Sequence, residues 1–133
     1  MRQRHFTLEE ALALLPQLTE LLEALRTRRR ELQALERRLT ERYEHRARGN
    51  GQVRGGEELA RVQAELEAGI TQLNEQVAAV HALGVELKDV EQGLIDFPSL
   101  RDGEEIYLCW RLGEPTIAWW HALDTGFAGR QPL

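Results

Sequence analysis

Four glycines in the eight residues Gly49-Asn50-Gly51-Gln52-Val53-Arg54-Gly55-Gly56 separate two long stretches of helical apolar spacing. Glycine-rich backbone does not sustain a helix, so this stretch reads as a loop over 48–56. Before it, leucines recur at 8, 12, 15, 18, 22, 25, 32, 35 and 39, which is the spacing of one helix face. After it, Leu59, Val62, Leu66, Ile70, Leu73, Val77 and Val80 follow in steps of three and four, an amphipathic stripe of coiled-coil type. Two such helices joined by a short flexible loop fold back on one another as an antiparallel hairpin.

The boundaries are readable as chemistry. Thr7-Leu8-Glu9-Glu10 has the form of a capping box, and Phe6 stands where a hydrophobic staple onto Ala11 begins. The first helix is expected over 6–47. Pro16 lacks an amide donor and crowds the preceding turn, but the leucine spacing continues through it, so the expectation is a kink, not a break. Acids at Glu57 and Glu58 suit the positive end of a second helix, expected over 57–83, with Gly84 as its C-terminal cap.

Beyond Gly84 the apolar period falls from 3.6 to 2. Val85–Asp89, Glu104–Leu112 and Thr116–His121 read as strands, with turns at Asp102-Gly103 and at Gly113-Glu114-Pro115. This implies three or four strands of a small antiparallel meander over 84–124, then a loop-like tail over 125–133. The reading is an α+β protein, one domain over 1–133: a long antiparallel two-helix hairpin arm packed on a small C-terminal antiparallel β-sheet.

Composition narrows the function classes. The 133 residues carry a net charge of -5 and a pI near 5.4, which argues against general nucleic-acid binding. No apolar run approaches the roughly 20 residues of a membrane helix. Met1-Arg2-Gln3-Arg4-His5 lacks the apolar core of a secretory signal, so the expected location is the cytoplasm. A single cysteine, Cys109, excludes a disulfide framework and a CxxC metal knuckle. There is no P-loop, no GxGxxG after a strand, no HExxH and no GxSxG.

Three groups of residues remain as candidates. Strand phase places Asp89 and His121 among apolar neighbours, and Asp96 lies between Ile95 and Phe97, where an unpaired polar group costs about 1–3 kcal/mol. With Glu114 they form a His/carboxylate set of the kind that holds a divalent metal such as zinc, manganese or iron; the plain alternative is an acidic edge with one hydrogen-bonded core histidine. Arg26, Arg30, Arg37 and Arg48 fall within about a 40° arc at 100° per residue, a basic face suited to contact with nucleic acid or an acidic protein partner, or simply to solvent. Trp119 and Trp120 must point to opposite sides of their strand, so one of them is a candidate interface residue. Cys109 alternates with Tyr107 and Arg111 and reads as a buried core residue, since free cysteine is among the most buried residue types.

The C-terminal third carries a recognisable pattern: Gly84-Val85-Glu86-Leu87-Lys88-Asp89, Gly93-Leu94-Ile95-Asp96-Phe97-Pro98, Tyr107-Leu108-Cys109-Trp110, Gly113-Glu114, Trp120-His121 and Gly126-Phe127. It resembles the domain of unknown function 2203 family of small prokaryotic proteins, and with the Phe-Thr-leucine start the resemblance covers the chain. The family implies a small soluble bacterial protein and brings no activity with it. From the residues, the first functional expectation is an interaction or scaffold protein, a homo-oligomer or the partner of another protein. The alternative is a small divalent-metal-binding protein, with hydrolase chemistry as one use of the metal.

Overall fold

The computed structural model describes residues 4–48 and 56–133, without the side chains of 46–48. The glycine-rich loop expected from 48 onward falls, over 49–55, outside the described residues, as does the side chain of Arg48. The order is helix α1 (Leu8–Arg48), helix α2 (Gly56–Ala82), and strands β1 (Glu86–Asp89), β2 (Leu94–Arg101), β3 (Glu104–Arg111), β4 (Trp119–Ala122) and β5 (Gln131–Pro132). A single 3-10 turn, Phe127–Gly129, precedes β5. The chain divides into two compact units, residues 27–75 and residues 1–26 with 76–133.

The first unit is the helix pair between Thr27 and Glu75. Leu32, Leu59 and Val62 are buried in it. At Gly69 the helices approach so closely that a Cβ there would lie 2.3 Å from Leu32 Cδ2. Arg42 pairs with Glu58, and Gln63 donates to the Tyr43 hydroxyl. Contacts of 32 with 69 and of 43 with 63 have nearly constant residue-number sums, which is the signature of antiparallel helices.

The second unit holds both helix ends and the sheet. The capping box forms in both directions: the Thr7 amide donates to Glu10 Oε1 at 2.9 Å, and the Glu10 amide donates to Thr7 Oγ1 at 3.1 Å. Helix α1 then runs through Pro16 without a break. Helix α2 stops at Gly84, whose φ of 88° suits glycine alone, and whose amide donates to the His81 carbonyl at 2.9 Å.

The sheet is antiparallel in the order β1-β2-β3-β4-β5, one or two strands more than the sequence suggested. The additional strands are β2 and the terminal β5, within the stretch read as a tail; β4 starts only at Trp119. Asp102-Gly103 joins β2 to β3 with both φ values positive, 52° and 81°, the backbone of a type I′ hairpin turn. Phe6 extends the sheet edge beyond β1. Its amide donates to the Pro98 carbonyl at 2.7 Å, its carbonyl accepts from Ser99 Oγ at 2.6 Å, and its ring meets Phe97 edge-on at 5.3 Å. Pro98 needs no ladder donor on this side, because β1 has ended at the partner of Asp96.

Pairing sets the two faces. Ile95 opposes Trp110, Phe97 opposes Leu108, and Leu108 opposes Trp120. This face carries the apolar core with Phe6, Leu18, Leu22, Leu25, Val80 and Val85, all buried. On the other face Asp96 opposes Cys109, Cys109 opposes Trp119, and Tyr107 opposes His121. Strand alternation thus puts the chemistry on the face turned away from the core.

Candidate functional site

Asp96, Cys109 and His121 come from three adjacent strands and are all buried, with 3%, 1% and 2% of their surface exposed. One carboxylate oxygen of Asp96, Sγ of Cys109 and a ring nitrogen of His121 all lie within 4.8 Å of one another. His121 Nδ1 is 2.7 Å from the Ala122 carbonyl oxygen. A carbonyl only accepts, so Nδ1 carries a proton. In a neutral imidazole the lone pair is then on Nε2, which lies 3.0 Å from Asp96 Oδ1. That contact falls outside hydrogen-bond geometry, and both atoms are buried without a hydrogen-bond partner among the described residues. Burial raises the Asp96 pKa above its ordinary value, opposed by His121, Lys88 and the Cys109 thiol.

Cys109 is held from its other side by Arg130. The guanidinium donates from Nε to Cys109 Sγ at 3.3 Å and lies 3.5 Å from the Cys109 carbonyl oxygen. Its two terminal nitrogens donate to Glu114, at 2.9 and 2.6 Å, and its plane lies 4.4 Å from the Phe127 ring centre. Burial pushes the Cys109 thiol up to about 11; the Arg130 hydrogen bond opposes this and the Asp96 charge adds to it. Burial would raise the pKa of Glu114 too, but the Arg130 hydrogen bond and the Arg111 amide, 2.6 Å from Oε1, hold it below its ordinary 4.5.

The expected set His121, Asp89, Asp96 and Glu114 is therefore divided. His121 and Asp96 meet. Asp89 Oδ1 accepts instead from the Gln92 amide at 3.0 Å, closing the turn after β1. Glu114 belongs to the Arg130 pair and touches the cluster only through that guanidinium. Cys109, read from the sequence as a core residue, is buried as such and is also the third member. A single signal pointed to it: it sits in phase with Tyr107 and Arg111, on the polar side of β3.

The other candidates are placed as follows. Arg26 Nη1 lies 3.4 Å from the Glu91 carbonyl oxygen, while Arg30 and Arg37 are exposed on α1. Trp119 and Trp120 are half-buried on opposite faces. Arg130 sits 5.6 Å from the ring of Trp119 and Arg101 sits 4.7 Å from that of Trp120.

Residues 4–133 match the family described as an uncharacterised conserved protein, DUF2203. The chain belongs to this family. In this DUF2203 member the match spans both helices and all five strands. No curated protein and no solved structure gives a match. No described helix is long and apolar enough to cross a membrane.

Proposed function

We propose that this DUF2203 protein binds a divalent transition metal, zinc or iron, through Asp96, Cys109 and His121. One observation carries the reading: Asp96, Cys109 and His121 are all buried, and one ligand atom of each lies within 4.8 Å of the others, Asp96 Oδ1 and His121 Nε2 being 3.0 Å apart. A carboxylate and an imidazole nitrogen this close in a dry site need a proton or a cation between them. The thiol beside them supplies a third ligand atom. One carboxylate and one thiolate neutralise a divalent ion, which answers the cost of burying either charge alone. Thiolate and imidazole ligands favour zinc or iron over manganese. Burial pushes the Cys109 thiol up to about 11, so it is unsuited to act as a free nucleophile, and as a ligand it would have to give up its proton to the metal. A thiol ligand must stay reduced, in keeping with a cytoplasmic location.

Three protein ligands are the number found in catalytic zinc sites, where a fourth position is left for water or substrate; hydrolase chemistry is the use this reading favours. Elemental analysis of untagged protein, purified without chelator, tests it. Wild type should carry zinc or iron near one equivalent, and His121→Ala should carry none while keeping wild-type far-UV circular dichroism. Wild type that holds no metal and takes up neither added zinc nor added iron would overturn the reading.

The interaction reading has one specific support. Ile70, a member of the α2 stripe, stays 42% exposed. We infer that the helix pair self-associates there. Light scattering should show more than the 15.3 kDa of one chain, and Ile70→Glu should return the protein to that mass.

A further inference from the structure

We propose, resting on the metal reading above, that the cavity beside Asp96 and His121 takes a small monocarboxylate with a short apolar tail, anchored by Lys88. The cavity has a volume of about 230 Å³ and borders two of the three candidate ligands. A cavity of this size suits a short-chain acid.

Its walls divide by chemistry. Leu94, Leu123 and Phe127 supply apolar surface, and Tyr107 and Lys88 supply polar groups. Lys88 is the only lysine in the chain. It is the extra residue of a β-bulge: Leu87 pairs with Ile95 and Asp89 with Leu94, leaving Lys88 without a partner in the ladder. Bulges re-aim a side chain and recur beside active sites. Here the bulged residue carries its ammonium over the Tyr107 ring, 5.4 Å from the centroid, with Glu86 Oε1 at 2.8 Å. A lone ammonium, already sharing its charge with one carboxylate, matches a single negative charge and not a polyphosphate. Because a metal held by three side chains keeps a coordination position for a further ligand, a carboxylate in this cavity has two cations to meet, the metal and Lys88.

The test uses the whole chain loaded with cobalt(II), whose visible spectrum reports its ligands, and butyrate as the probe. Butyrate should shift the cobalt bands saturably, and acetate should bind several-fold more weakly for want of the tail. Lys88→Met, a change at an exposed side chain, should weaken butyrate binding at least tenfold in protein that still takes up one equivalent of cobalt. A cobalt-loaded protein whose spectrum ignores butyrate, or a Lys88→Met protein that binds it as tightly as wild type, overturns this inference and leaves the metal site standing. Inorganic phosphate binding as tightly as butyrate overturns the carboxylate assignment. A protein that takes up no cobalt overturns the metal reading, and the inference with it.

Discussion

Asp96 and His121 lie 3.0 Å apart on neighbouring-but-one strands, each nearly excluded from solvent, and the other imidazole nitrogen, Nδ1, lies 2.7 Å from the Ala122 carbonyl oxygen behind it. That contact leaves Nε2 as the ring nitrogen that faces the carboxylate. Side-chain identity and strand register together thus place a carboxylate and an imidazole against each other, with Cys109 beside them.

Cys109 is the sharpest point at which to test the cluster. Cys109→Ser keeps the size of the side chain and removes the soft ligand, so zinc affinity should fall by tenfold or more, with relatively little effect on manganese. Isothermal titration of both variants with both metals measures this. Because a ligand that binds only the folded state stabilises it by mass action, zinc at 100 times its dissociation constant should add about 2.7 kcal/mol to the wild type, and a chelator should remove it. Equal zinc affinities for the two variants would separate Cys109 from the site.

The Glu114–Arg130 pair should make stability depend on acid pH. Glu114 titrates below its ordinary 4.5 in the folded protein, so the folded state holds this proton less tightly than the unfolded chain. Its contribution is therefore complete above about pH 4.5 and is lost as the pH falls through the folded-state value. Urea denaturation of wild type and Glu114→Gln across pH 3–7 should show a difference that is largest at pH 7 and shrinks on acidification. A constant difference across that range would assign the effect to packing alone.

Gly93→Ala should loosen the turn between β1 and β2. Gly93 has φ 63°, and a Cβ there would lie 2.5 Å from Leu112 Cβ, a backbone-proximal atom with little room to move. The left-handed conformation alone costs a non-glycine residue about 1–2 kcal/mol, and the clash adds to it. A loss of less than about 1 kcal/mol in chemical denaturation would contradict this local geometry.

Thr7→Ala should cost about 1 kcal/mol through loss of the N-cap. It also releases the segment that carries Phe6 onto the edge of β2, so amide exchange should speed up at Phe6, whose amide bonds the Pro98 carbonyl. Unchanged protection at Phe6 would show that the edge holds without the cap.

Local signals in the sequence determined the helices, their antiparallel return, the capping box, the Gly84 stop and the Asp102-Gly103 turn, because each depends on residues within a few positions of one another. They also determined that Asp89 and His121 needed partners, since strand phase is a two-residue property, and marked Asp96 only by its apolar neighbours Ile95 and Phe97. Tertiary structure alone decided who those partners are. Strand β2 was hidden because residues on both its faces are buried from Ile95 to Ser99, which erases alternation, and because Pro98 reads as a strand breaker until the end of β1 removes the need for a donor. Phe6 meets Ser99 across 93 residues, beyond any local pattern. Asp89 was diverted into a turn at the bulged end of β1, and Glu114 was drawn to Arg130, a residue that reaches it only because β5 turns the terminal segment back onto β4. Cys109 joined Asp96 through β2–β3 register. Pairing across strands is set by the whole sheet closing at once, and a one-residue change in that register would send each of these side chains to the opposite face.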